Sequence, residues 1–172
     1  MPAECKPTRV ENMKRMIAFV RHAQAGSGFR DHERHLTGAG RDQAVRVGQA
    51  LSRYFDADTQ IVASSARRTQ ETALAIANVL GTDHRSEEKL YSGDEDDVLA
   101  CTLTNADVIV VGHAPVIAYA ALDVASRISP ETTEQVGERG CPTGTAFIFR
   151  AEGELGAERY EWVDTVITPA RG

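Results

Sequence analysis

Ile17-Ala18-Phe19-Val20-Arg21-His22-Ala23 is the stretch that decides how this chain is read. Four apolar residues suited to a buried strand lead straight into a cation and an imidazole, and small residues follow at Ala23, Ala25, Gly26 and Gly28. A strand ending this way sets polar chemistry at a sheet edge, above a loop able to wrap a ligand. In open α/β sheets ligands bind outside the carboxyl ends of the strands. Most histidines are satisfied by interior hydrogen bonds or water, so the meaning of this pair depends on what the rest of the chain sends to meet it.

The same pattern recurs twice. Asp107-Val108-Ile109-Val110-Val111 reads as a buried parallel strand, and it runs directly into Gly112-His113-Ala114-Pro115. Pro115 suits the first position of a helix continuing through Val116, Ile117, Tyr119, Ala120 and Val124. Ile61-Val62-Ala63 is a third short strand, and Ser64-Ser65 can cap a helix starting near Arg67, with Ala73, Ile76, Ala77 and Leu80 buried and Gly81 as the stop. Arg67 and Arg68 at that helix start oppose its dipole, a conflict that a bound anion would remove.

Between these blocks, Thr37 offers an N-cap for an amphipathic helix over 38–55, with Ala44, Val47, Leu51, Tyr54 and Phe55 inward. Gly38, Gly40 and Gly48 weaken it by up to about 1 kcal/mol each relative to alanine, and close approach to a neighbouring backbone is one reason to keep them. The loop from Gly26 to His35 is long and dense in titratable groups, as fits either a solvated connection or a ligand-facing loop. His84 reads as a surface residue. The acidic run Gly93 to Asp97 suits the first turn of a helix better than a metal site, since consecutive carboxylates on one turn diverge.

Segments 143–150 and 159–168 are expected to form a closing hairpin, with Trp162 on the sheet face or in the core. Residues 126–142 are expected to be a loop able to fold over the pocket, and residues 1–14 a poorly ordered extension. The pattern is that of one α/β domain over 15–172: a three-layer sandwich, its central sheet mostly parallel, with helices on both faces.

Composition narrows the function. A chain of 172 residues supports one sizeable core, and a formal charge of −6 argues against a nucleic-acid surface. No apolar run approaches the roughly 20 residues that span a bilayer, and no signal-peptide pattern is read at the N-terminus, so a cytoplasmic protein without membrane partners is expected. Cys5, Cys101 and Cys141 are widely separated and follow no metal-ligand spacing; Cys101 is expected as core filler.

Three strand or turn termini thus deliver Arg21-His22, Arg68 and His113 to one sheet edge. Guanidinium forks match phosphoryl oxygens, and imidazole can act as nucleophile or proton carrier near neutrality, so a phosphoryl site is indicated. The rival on the residues alone is zinc held by His22 and His113, which neighbouring arginines would repel. A nucleotide-dependent kinase is disfavoured by the lack of a Gly-x-x-x-x-Gly-Lys loop.

Phe19-Val20-Arg21-His22-Ala23 resembles the Arg-His-Gly signature of the histidine phosphatase superfamily, also called phosphoglycerate mutase-like. Residues 64–72, SSARRTQET, are similar to its Ser-Pro-x-x-Arg-Ala-x-Gln-Thr block, and residues 110–115, VVGHAP, to its second-histidine block. The similarity runs in order over about 16–168. Arg34-His35-Leu36-Thr37 before Gly38-Ala39-Gly40, Leu90-Tyr91 and the short length look most like the small phosphohistidine phosphatase branch of SixA type. The resemblance implies a phosphoglycerate mutase-like fold and a phosphatase working through a phosphohistidine enzyme intermediate. His22 would be the nucleophile; Arg21, Arg68 and His113 would hold and stabilise the phosphoryl oxygens; and Arg34 would help to line the pocket. Arg67 falls outside the motif position and keeps a surface role.

Ala23, Ser65 and Glu71 depart from the commoner glycine, proline and glutamine of those blocks. The glutamate general acid of the mutase-like branches has no clear counterpart. Glu87, Glu88 and Asp94 are candidates by region, and Asp31 or Glu33 by entry from the first loop, with none preferred. A missing acid fits an N–P substrate, because a protonated phosphoimidazole departs as neutral imidazole. The expected substrate is phosphohistidine on a protein, with small phosphate esters, in a phosphatase or mutase reaction, or a non-catalytic phosphate-binding module as the alternatives. No cofactor or metal is expected, and the chain is expected to be a monomer or weak dimer.

Overall fold

Alternation of burial along the strands builds the whole architecture. A computed structural model describes residues 13–171, in which β1 (Lys14–Arg21) sends Ile17 and Phe19 to one face and Ala18 and Val20 to the other. The extension expected at 1–14 lies outside the described residues up to position 12, and Lys14 already belongs to β1.

The elements follow in the order β1, α1 (Gly38–Leu51), β2 (Gln60–Ser64), α2 (Arg67–Leu80), β3 (His84–Glu87), α3 (Lys89–Ser92), α4 (Glu95–Ala100), β4 (Val108–Gly112), α5 (Val116–Ser126), α6 (Pro130–Glu138), β5 (Thr145–Glu152) and β6 (Arg159–Ile167). They form one six-stranded sheet in the order β3-β2-β4-β1-β5-β6. The first four of these are parallel, and β5 and β6 close the sheet as an antiparallel hairpin. On one face Val20, Ala63, Val111 and Ile148 meet Val47 and Leu51 of α1 and Ala73 and Ile76 of α2. On the other, Phe19, Val62, Val110 and Phe149 meet Val98 of α4, Ile117 and Val124 of α5 and Val136 of α6. This is the expected three-layer sandwich with a mostly parallel sheet.

Several boundaries differ from the sequence expectation for local reasons. Helix α1 ends at Leu51 rather than 55, although Phe55 is still buried on its core. Thr37 caps it by accepting from Gly40 N at 2.9 Å. Segment 126–142 is not a loop: Ser129 accepts from Thr132 N and starts α6, which packs on α5. Edge strand β3 is polar and half-exposed, so it carried no apolar signal, and His84 lies on it, half-buried, with its Nε2 3.1 Å from Gln70 Oε1. The acidic run does open a helix, with Asp94 and Asp97 forming a capping box. Cys101 and Cys141 are both partly buried against the core.

Of the three glycines noted in α1, one makes a close approach that a side chain would forbid. A Cβ on Gly40 would lie 2.0 Å from the Gln24 carbonyl oxygen, whereas one on Gly38 would meet nothing within 4 Å. Gly40 therefore lets α1 press against the loop that follows β1. Among the described residues no helix is long and apolar enough to cross a membrane.

Candidate functional site

Strand register fixes the site. Arg21 pairs with Gly112 across β1 and β4, and Ala63 pairs with Val111 across β2 and β4, so the three strand ends reach one level. Just beyond them His22 N donates to the Gly112 carbonyl at 3.0 Å. The His22 and His113 rings come to 5.4 Å between centroids at 61°.

The loop after β1 is pinned from both helices. Ala23 N donates to Thr72 Oγ1 of α2 at 3.1 Å, Gln24 N to Gln43 Oε1 of α1 at 2.7 Å, and Thr37 Oγ1 to Gln24 Oε1 at 2.8 Å. Within this frame His22, 7% exposed, places Nδ1 2.7 Å from the Ala23 carbonyl oxygen. A carbonyl only accepts, so Nδ1 carries the proton and Nε2 keeps its lone pair. Burial holds this imidazole down at about 4 despite the opposing effect of the Ala23 bond, and the charges of Arg68, Arg21 and Arg34 lower it further. His22 is thus a neutral, oriented ring with one basic nitrogen.

His113 is oriented from two sides. Arg68 Nη2 donates to its Nδ1 at 3.2 Å, which leaves Nε2–H to face Ser64 Oγ at 2.8 Å. Burial first, and then Arg68 and His22, push its ring down to about 3. His113 is thus a neutral ring held between Arg68 and Ser64. Ser64 and Ser65 do not cap α2 as the sequence suggested. The N-cap residue is Ala66, Ser64 turns to His113, and Ser65 Oγ lies 2.9 Å from His32 Nε2.

Arg68 is 7% exposed, while Arg67 stays on the surface paired with Glu71 at 3.0 Å. The departure at Glu71 thus has a local use, since its other oxygen accepts from Leu36 N at 2.7 Å. Arg21 Nη1 donates to the Cys141 carbonyl at 2.8 Å, so the end of the 126–142 segment braces the site. The Nε–H groups of Arg21 and Arg68 are both buried without a hydrogen-bond partner among the described residues. Buried donors are almost always paired, and two orphans on neighbouring guanidinium groups suit an anion. Arg34 sits one step out, donating to the Gly26 carbonyl at 2.8 Å and pairing with Asp31 at 3.0 Å.

Of the acid candidates, Asp31 alone reaches this cluster. Its Oδ2 is 3.2 Å from Arg68 Nη2 and accepts from Tyr91 Oη at 2.8 Å. The Tyr91 bond, then Arg34 and Arg68, hold it ionised at about 2, so it is an anion and no proton donor near neutrality. Glu33 pairs with Arg30, Glu87 with Arg85, and Asp94 is spent on its helix cap. Tyr91, whose ring lies 5.9 Å from that of His113, escaped the sequence reading as a site residue; nothing in the spacing of its short helix after a polar strand pointed to the pocket.

The mostly parallel sheet with an imidazole pair and arginines at its carboxyl edge presents an anion site of the kind α/β folds build. The family model for the histidine phosphatase superfamily (branch 1) matches residues 17–94, and together with the structural neighbours it supports a phosphatase. The chain is similar to a protein assigned as phosphohistidine phosphatase SixA from Nakamurella multipartitia, at 27% identity and a TM-score of 0.77 over 90% of this chain and 96% of that one. The structure of protein histidine phosphatase SixA complexed with tungstate shares the fold at 22% identity and a TM-score of 0.68, over 86% and 94% of the two chains. A mycobacterial glucosyl-3-phosphoglycerate phosphatase shares it at 15% identity and a TM-score of 0.62, over 87% and 97%. No curated protein sequence matches the chain.

Proposed function

We propose that this phosphatase hydrolyses phosphohistidine on a protein, with His22 as nucleophile. The observation that carries the proposal is the state of His22: Nδ1 is tied to the Ala23 carbonyl, and Nε2 is basic beside two arginines with unpaired Nε–H groups. Nε2 attacks phosphorus, the N–P bond of the substrate breaks, and its electron pair goes to the departing ring nitrogen. Phosphorylated His22 keeps its Nδ1 proton on the Ala23 carbonyl and is itself a cationic phosphoimidazole. Water then takes the phosphoryl group, His22 returns to its neutral form, and phosphate leaves with the protons of the water. Arg21, Arg68 and His113 stabilise the equatorial oxygens in both transfers, and Arg34 supports Asp31 from outside them.

The substrate class follows from the acids. An ester would leave as a strongly basic alkoxide in need of a proton, and the carboxylate nearest the cluster is held ionised. A protonated phosphoimidazole needs no such donor. The test is release of free phosphate from a phosphohistidine protein and from a panel of small phosphate esters, with wild type and His22→Ala side by side. Preference for the phosphohistidine protein, lost by several orders of magnitude in the variant, is expected. Preference for esters would overturn the substrate, and a wild type inert on every substrate would overturn turnover in favour of phosphate binding.

A further inference from the structure

We propose that Asp31 selects the leaving group: its carboxylate accepts the distal ring N–H of the substrate phosphoimidazole and favours the protonated ring that departs without an enzyme acid. The proposal rests on the phosphohistidine reaction above and assigns a specificity role to a residue outside the arginine-histidine set.

Asp31 opens a short 3-10 turn, Asp31–Glu33, that packs on α2. Arg68 Nη1 donates to its main-chain carbonyl at 2.8 Å, and Arg68 Nη2 lies 3.2 Å from both its Oδ2 and His113 Nδ1. The carboxylate therefore stands one guanidinium away from His113. Its side chain is 53% exposed, which leaves it reachable from the solvent side of the site. A carboxylate offers about four lone-pair positions. Arg34, Arg68 and Tyr91 occupy three of them. One remains for an incoming donor.

The surroundings suit a flat, cationic ring. Tyr91 stands edge-on to His113 with centroids 5.9 Å apart, and His32 stands edge-on to Tyr91 at 4.7 Å. The groups facing the carboxylate are Arg34 from its own turn, with the Arg30–Glu33 pair further out, Arg68 from α2, Tyr91 from α3 with Glu88 beside it, and His113 from the end of β4. Three donors fix Asp31 as an anion throughout the neutral range. A fixed anion at this place favours the protonated phosphoimidazole over its unprotonated form and opposes the charge that builds on a departing oxygen.

The step balances without a further acid. In the protonated substrate one ring nitrogen bears phosphorus and the other bears hydrogen. His22 Nε2 forms its bond to phosphorus as the substrate N–P bond breaks, the bonding pair returns to the ring nitrogen, and neutral imidazole leaves with its distal proton still on the ring and hydrogen-bonded to Asp31. An opposite charge within hydrogen-bond reach raises the affinity of such a ring for its proton by about one pH unit or more.

The test compares kcat/KM for phosphoimidazole and for p-nitrophenyl phosphate, across pH 5 to 9, in wild type, Asp31→Asn and Asp31→Glu. The second substrate, an ester, expels a phenolate that needs no proton. Asp31→Asn should lower the phosphoimidazole-to-ester ratio by about tenfold or more and move the fall of phosphoimidazole turnover with rising pH down by about one unit. Asp31→Glu should restore part of both. A merely structural role through Arg68 would lower both substrates together with no movement of the pH limb, and that result would overturn the proposal. Wild type inert on phosphoimidazole and on a phosphohistidine protein, yet active on the ester, would overturn the phosphohistidine reaction itself, so the two failures are told apart in the wild-type arm.

Discussion

Lowering the pH from 7 to 5 should destabilise this enzyme through His22 and His113, by an amount their surroundings define. Burial holds His22 at about 4 and His113 at about 3, against an ordinary value of 6.5 for each. Below 6.5 the unfolded chain takes up protons that the folded chain refuses, so unfolding gains with every step toward acid. The stability these neutral rings contribute is complete above that value and drains away as the pH falls toward their folded values. At pH 5 the gap is about 1.5 units, or about 2 kcal/mol for His22. His113 is less buried and contributes about 1 kcal/mol once solvent screening is allowed for, giving about 3 kcal/mol together. A typical domain has only about 5–15 kcal/mol in total. Asp31, held at about 2, protonates below this window and does not enter. Urea denaturation at pH 7 and pH 5 would be compared between wild type and a His22→Gln, His113→Gln double variant, whose remaining carboxylates are common to both. Wild type should lose about 3 kcal/mol more than the variant between the two pH values. An excess below about 0.5 kcal/mol would refute the neutral, buried state of the two rings.

Two further substitutions probe the frame of the site. Arg68→Lys keeps a charge but loses the fork that joins Asp31, the main chain and His113; phosphate release should fall by about 10²–10³-fold in kcat/KM, and a change under about fivefold would deny Arg68 its role. Gly40→Ala drives a Cβ into the Gln24 carbonyl and should cost about 1–3 kcal/mol by thermal melting together with a loss of turnover, whereas Gly38→Ala, in open space, should be neutral or stabilising by up to about 1 kcal/mol.

What the chain revealed in advance was whatever depended on burial. β1 and β4 lie in the interior of the sheet, so their apolar runs were continuous and their endings in Arg21-His22 and Gly112-His113 stood out. Arg68 was legible because a cation in the first turn of a helix opposes the dipole and asks for a reason. Strand β3 and helix α6 were not legible, since a half-exposed edge strand of His84-Arg85-Ser86-Glu87 and a helix burying only Val136 leave almost no period to read. Asp31 and Tyr91 were hidden differently. Sixty positions separate them, and only the packing of the first loop on α2 and of α3 on β2 brings the Tyr91 hydroxyl to the carboxylate. Ser64 was misread because a serine before a helix ordinarily caps it, while here His113 offers the stronger claim on the hydroxyl.

One consequence joins the histidines to Asp31. The arginines that would hold a phosphoryl group are the same charges that keep His22 and His113 unprotonated before it arrives. A phosphoryl dianion entering between them reverses the local field, so each imidazole gains affinity for a proton only when substrate is bound. His22 already carries its fixed proton on Nδ1, and the new N–P bond then makes it the cation that the incoming dianion and the Ala23 carbonyl both stabilise. On the leaving side Asp31 does for the substrate ring what the Ala23 carbonyl does for His22, accepting the distal N–H. The two rings that exchange the phosphoryl group thus each keep a distal N–H on a fixed acceptor, an arrangement that a transfer from an alkoxide would not use.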